Sequence, residues 1–292
     1  MDLTLKLPVD YTPQVEPDDY HCFPLEWPED KTRYITALDI VPGNRRIVHH
    51  AIIYHVRPEG AEAVRELDAE EDGPGYTCFG GGAGANAWLQ SYEPGGYAQE
   101  VPGGLGFEIE PGSLMLLQIH YNTLAGSGED RSQIEFQLKD DVKRVGRVAL
   151  IMNVGWIAGF MPIPANERDV LHTYLGRPLT LGEGRHQIYW ADLHMHSLGS
   201  RGMIGIMRAE RPGVIESLLT IPQWDFAWQE TYIFREPVEL GPLDQLYVEC
   251  HFDNTADNQI VVDGDRLAPR DVNWGDGTTD EMCLGNVLVA PM

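Results

Sequence analysis

Short runs in which apolar and polar residues alternate, or in which apolar residues follow one another, recur along the whole chain. The clearest are Tyr34 to Val41, Val48 to Val56, Leu114 to Tyr121, Ser132 to Leu138, Arg147 to Met152, Gln187 to His194, Gly202 to Arg208 and Gln245 to Phe252. Pro-Gly, Gly-Gly and Asn/Asp turns bound them at the intervals typical of antiparallel sheets, so the pattern predicts an all-β protein. Only Glu62 to Asp72 has the spacing of a helix.

The 31 glycines and 20 prolines are spread among these runs, so they mark turns and not a disordered linker. A second cycle of strands begins near Arg147, and each half of the chain carries its own cysteine pair and histidine cluster. A boundary between about Asp140 and Val148 predicts two antiparallel, jelly-roll-like β-sandwich domains side by side, 1–145 and 146–292.

With 21 basic and 45 acidic residues the formal charge is -24, which opposes binding to nucleic acid or to an anionic membrane surface. No stretch has the roughly 20 apolar residues of a membrane span, and the first residues, MDLTLKLPVD, lack a signal-peptide core. An exported protein of this sequence is expected to have lost its leader. Cys22, Cys78, Cys250 and Cys283 include no Cys-x-x-Cys pair, and an even, widely spaced set suits structural disulfides in an extracytoplasmic, oxidising compartment. Buried free thiols are the alternative that spacing leaves open.

Histidines carry the candidate chemistry. In a strand, residues two apart share a face, so His194 and His196 can converge on one metal ion. Adjacent His49 and His50 can share an ion only at a strand end or a bulge; otherwise one points inward and the other into solvent. Gln118 and His120 lie on the face opposite Leu117 and Ile119, a polar pair that needs a partner if buried. Met282 follows a polar loop and precedes Cys283; by itself a methionine is core filler. The run Gly80-Gly81-Gly82-Ala83-Gly84-Ala85-Asn86 lacks the Lys-Ser/Thr of a phosphate loop and reads as a flexible loop. Asp253 to Asp265 lacks calcium-loop spacing and reads as a solvated turn.

Four pieces, Val48-His49-His50, Gln118-Ile119-His120-Tyr121, His194-Met195-His196 and Asp280-Glu281-Met282-Cys283-Leu284, stand in the order and approximate spacing of one family. In these the chain resembles the copper type II, ascorbate-dependent monooxygenases, from Tyr20-His21-Cys22 to Met282-Cys283. The resemblance implies two coppers per chain. His49, His50 and His120 would hold an electron-transfer copper; His194, His196 and Met282 would hold the copper where dioxygen and substrate meet. Gln118 and Met282 then belong to the catalytic machinery, and a thioether with imidazoles favours Cu(I). It also pairs Cys22 with Cys78 and Cys250 with Cys283. The implied reaction is hydroxylation of a substrate C–H bond with O2 and an external one-electron donor such as ascorbate.

The peptide-amidating members grip a substrate carboxylate with an arginine two residues before His-x-His; here that position is Asp192. A small molecule bearing an amine or hydroxyl is therefore expected in place of a peptidylglycine, unless Asp192 only pairs with a neighbour such as Arg201. His186, eight residues before His194, matches a histidine common in the family and is expected in the substrate pocket. His55 replaces a further family cysteine and reads as incidental, with an extra polar contact as the alternative. A non-catalytic copper-binding or copper-delivery protein is the alternative function, separated from the enzyme by sustained oxygen consumption.

Overall fold

A computed structural model describes residues 1–78, 87–92, 98–124, 126–226, 228–262, 265–275, 277 and 279–292. The glycine-rich run at 80–86 lies outside them. Among the described residues the chain is all-β apart from one α-helix and short 3-10 turns, and it divides into two compact units, Met1–Arg147 and Val148–Met292.

In the first unit one sheet orders Leu3–Lys6, Gln133–Lys139, Arg33–Val41, Leu105–Ile109 and Arg144–Val145, with Gln99–Glu100 beside Arg33–Val41. A second orders Tyr76–Thr77, Asp18–Glu26, Leu114–Asn122, Val48–Val56 and Ala87–Tyr92. Leu114–Asn122 is central there and buried along almost its whole length, which explains the apolar run Leu114 to Leu117 and leaves Gln118 and His120 as buried polar residues: a strand covered on both faces has no solvated side. The helix Pro58–Glu70 begins four residues earlier than the spacing predicts, because Pro58 occupies the first turn, where its missing N–H costs nothing. Its Ala61 and Val64 pack with Tyr54, Val56, Leu114 and Leu116 around the Cys22–Cys78 disulfide.

In the second unit one antiparallel sheet orders Arg147–Ile151, Leu284–Pro291, His186–His194 and Tyr232–Leu240. The other orders Val170–Gly176, Gln245–Phe252, Gly199–Met207 and Ile215–Ile221. Ile151, Ile188, Leu193, Val287 and Val289 of the first join Ile204, Ile206, Leu246, Val248 and Phe252 of the second in one buried cluster. That cluster takes one face of His186–His194; by alternation Trp190, Asp192 and His194 share the other.

All eight apolar runs lie on strands, and Val48–Val56 and Gln245–Phe252 coincide residue for residue. Strands with interrupted alternation were not predicted. Tyr232–Leu240 contains Pro237, tolerated because the strand is at a sheet edge, and Asp18–Glu26 contains Pro24, beyond the two residues that pair with Tyr76–Thr77.

Candidate metal centres

The first centre is built by strand register. In the second sheet of the first unit, Tyr20, His120 and His50 stand directly opposite one another on three neighbouring strands. The ladder shifts register between Val48 and His50, so the expected bulge falls on His49 and lets two consecutive histidines reach the same point. His49, His50 and His120 each offer a ligand atom within 4.8 Å of the others, and among the described residues this is the group of three of its kind.

The nitrogens that converge are all Nδ1: His49 and His120 each place theirs 3.3 Å from that of His50. An imidazole Nδ1 carries one proton or one lone pair, so His50 can hydrogen-bond properly to one of these neighbours and not to both. A metal about 2.0–2.1 Å from each nitrogen, at tetrahedral to trigonal angles, would separate them by roughly 3.3 to 3.6 Å. The spacing and the frustrated nitrogens therefore fit a metal ion better than a hydrogen-bonded triad. His120 Nε2 donates to Asp18 Oδ1 at 2.8 Å, leaving Nδ1 as the lone-pair atom, and Asn122 Nδ2 donates to the same oxygen at 2.8 Å. Burial works to raise the Asp18 pKa, but the contacts with His120 and Asn122 prevail and hold it below its ordinary value. Burial, more than any neighbour, lowers His49 to about 4, so its imidazole is neutral at physiological pH, the form that binds metal. Tyr20 stacks flat on His120, with ring centroids 4.1 Å apart and an interplanar angle of 6°.

Gln118 lies one pleat along from His120, and its amide meets the disulfide, with Nε2 3.5 Å from Cys78 Sγ. His55 is buried and bonded through Nε2 to Ser113 Oγ at 3.0 Å.

The histidines of the second unit are held differently. His194 ends the strand His186–His194 and His196 lies two residues past that end, but the alternation continues: Ala191, Leu193 and Met195 enter the core, which leaves His194 and His196 on the other face, as expected. Their ring centroids are 5.1 Å apart, and a turn closed by the Gly199 N–H on the His196 carbonyl follows. Gln229 Nε2 donates to the Phe226 carbonyl at 3.0 Å, which turns Oε1 toward His194 Nδ1 at 2.7 Å. His196 Nδ1 meets the Asp280 carbonyl at 3.1 Å. A carbonyl only accepts, so both Nδ1 atoms carry the proton and both Nε2 atoms keep the lone pair. Burial lowers the His194 pKa, against the pull of Gln229. Phe226 stands edge-on to His196 at 5.9 Å, and Trp224 Nε1 donates to the His196 carbonyl at 3.0 Å.

Met282 is buried between Glu281, whose backbone bridges to Trp274, and Cys283, disulfide-bonded to Cys250. Met282 lies two residues from Asp280, whose carbonyl meets His196, and a thioether with imidazoles is a donor combination that suits Cu(I). Glu281 is fully buried; its carboxyl accepts the N–H of His196 at 2.8 Å and that of Leu198 at 2.5 Å. Burial pushes its pKa up to about 8 against these amide contacts. Neither Glu281, Gln229 nor Asp18 stood out as functional in the sequence: each reaches its histidine across 35 to 102 residues, and no local pattern announces such a contact.

Asp192 does not pair with Arg201, which binds Asp169 and His251. Opposite it in register is Asn286, whose Nδ2 donates to Asp192 Oδ1 at 2.6 Å. Burial raises Asp192 to about 7, although part of its surface meets solvent. Asn286 Oδ1 is buried with no hydrogen-bond partner among the described residues. His186 is not brought to this group. It begins the strand that His194 ends, about 26 Å away at ~3.3 Å per residue, and meets Arg177 Nη2 at 3.4 Å.

Residues 148–289 match the family described as copper type II ascorbate-dependent monooxygenase, C-terminal domain. "DBH-like monooxygenase protein 1" of Mus musculus is 26% identical over 270 residues, 85% of this chain and 40% of that protein. "Tyramine beta-hydroxylase" of Caenorhabditis briggsae is 26% identical over 295, covering 97% and 47%. The chain thus spans less than half the length of these curated relatives. A solved peptide:N-glycanase F, at 10% identity over 99% of this chain and 95% of that one, has a TM-score of 0.38, too low to carry an argument. The match of its second unit, and relatives that align across both, support a place for this chain among the copper type II, ascorbate-dependent monooxygenases.

Proposed function

We propose that this chain is a monooxygenase with two copper centres, His49, His50 and His120 in residues 1–145 and His194, His196 and Met282 in residues 146–292. The observation that carries the reading is the convergence of three Nδ1 atoms, two pairs of them 3.3 Å apart, at the spacing of a shared metal. Copper, when bound, supplies one-electron transfer and the activation of O2 for hydroxylation of a substrate C–H bond, with ascorbate or an equivalent donor as reductant.

The residues of the chain prepare the donors. Asp18 keeps the His120 proton on Nε2; Gln229 and the Asp280 carbonyl keep those of His194 and His196 on Nδ1. Gln118 occupies the face that runs from His120 to the Cys22–Cys78 bridge and helps to fix the first centre. Two disulfides suit an extracytoplasmic location. In each unit we take the two sheets to form a jelly-roll-like sandwich.

The substrate class follows from Asp192, on the strand face shared with His194. Its carboxylate and the Asn286 carbonyl oxygen form a pair of acceptors for a substrate amine or hydroxyl. The relative named tyramine beta-hydroxylase would act on such an amine. Asp192→Asn should raise KM for amine substrates about tenfold or more; an unchanged KM for every amine turned over would remove this assignment.

The decisive experiment is copper titration with Cu(I) X-ray absorption and oxygen uptake in the presence of ascorbate. Two coppers per chain, sulfur scattering lost in Met282→Ile, and sustained oxygen consumption support the enzyme. Two coppers without consumption would mean a copper-binding or delivery protein, and one copper or none would defeat the two-centre reading.

A further inference from the structure

The chain has several buried polar groups that no metal-ligand argument uses, and Glu281 is the carboxylic acid among them with no exposed surface. One oxygen of its carboxyl accepts the His196 N–H at 2.8 Å and the other accepts the Leu198 N–H at 2.5 Å. The Met282 N–H also contributes to its environment. A single side chain therefore grips the backbone on both sides of the turn that presents His196, while its own backbone precedes Met282.

The rest of the local wiring runs in parallel. The Gly275 N–H donates to the Glu281 carbonyl at 3.1 Å, and the Glu281 N–H donates to the Asn273 carbonyl at 3.3 Å. The Asp253 N–H donates to the Leu198 carbonyl at 2.8 Å. These bonds tie each segment down separately. Of the side chains in this wiring, Glu281 is the one that joins the segment of Met282 directly to both amides of the 196–198 turn. A carboxyl suits the task because it has two acceptor oxygens on one short stem, whereas an amide would set an NH2 group against one of the two donors.

We propose that Glu281 is a positioning residue that fixes His196 and Met282 relative to one another, so that an imidazole and a thioether meet one copper ion without the turn having to reorganise. The inference rests on the reading of His196 and Met282 as ligands of one copper. Metal–donor distances tolerate about 0.2 Å, and a free turn beside a loop does not hold that tolerance unaided.

Glu281→Gln is the test, made on the full chain loaded with copper and reduced with ascorbate. The expected result is copper binding at the second centre about 10- to 100-fold weaker, as for other groups that orient metal ligands, with Cu(I)–sulfur scattering weakened and the three-histidine centre still filled. A purely structural contact would lower the unfolding midpoint and leave scattering and affinity as in the parent; that result overturns the proposal while the two-centre reading stands. A parent without sulfur scattering would refute Met282 as a ligand, and the inference with it. Should Glu281→Gln not fold, amide hydrogen exchange in the metal-free parent decides. Protection of the His196 and Leu198 amides by about 100-fold or more over an unstructured peptide supports a preformed clamp, and exchange at the rate of an open turn overturns it.

Discussion

The two candidate centres reach the same end by different means. In the first unit, His50 and His120 stand opposite each other on neighbouring strands, with Tyr20 completing the row, so backbone hydrogen bonds of a sheet set the spacing of the donors. A single bulge adds His49. In the second unit His194 is the last residue of a strand, His196 is in a turn and Met282 is on a loop. Those donors are held by side chains and a disulfide: Gln229, Glu281 and Cys250–Cys283. A ladder distributes its constraint over many bonds, whereas a set of cross-links can be cut one at a time. The first centre should therefore be robust to changes around it, and the second fragile.

The largest effect that separates them is removal of a ligand. His120→Ala should abolish copper at the first centre and leave the second, so titration falls from two coppers to one with sulfur scattering retained; loss of both would mean the centres are not independent. Next comes the disulfide. Cys250→Ser with Cys283→Ser should lower stability by roughly 2 to 4 kcal/mol in denaturant unfolding and weaken the Met282 centre under conditions where the first centre still binds. Equal weakening of both would erase the contrast.

Acid tests the sheet of the first centre. Burial, with the nearby Arg57 charge, lowers buried His55 to about 4 from an ordinary 6.5. Above pH 6.5 both folded and unfolded chains carry it neutral. Between 6.5 and 4 the unfolded chain takes up a proton that the folded one refuses, so stability falls by at most about 3 kcal/mol and then levels off. His55→Asn should remove that part of the acid loss, seen as a flatter unfolding midpoint against pH; an unchanged slope would assign the loss elsewhere. The smallest effect is expected from Asp18→Asn, which keeps a hydrogen-bond partner for His120 but removes the charge. First-centre copper affinity should drop about tenfold, the lower end for groups that orient a ligand, with the second centre unmoved.

Much of this contrast was legible in the chain. Apolar alternation marked eight strands, including those that carry His50, His120 and His194, because a pleated strand repeats every two residues and leaves a local record. The adjacency of His49 and His50 required a bulge or strand end, and a bulge is present. The motif resemblance paired the four cysteines as the structure has them. The alternation runs on past the strand end to bring His196 beside His194, whereas His186 was carried to the far end of the same strand.

The sequence by itself determined an all-β chain, the strands that carry most of the histidines, and the family that those motifs resemble. Only the tertiary structure decided which ring nitrogen of His120, His194 and His196 keeps its lone pair. That choice is made by the group bonded to the other ring nitrogen, and Asp18, Gln229 and the Asp280 carbonyl come from distant parts of the chain. The same holds for Glu281, whose two acceptor oxygens meet amides 83 and 85 residues away. Strand periodicity is written locally because its physics is local, whereas a buried polar contact exists only once folding has removed water from both partners.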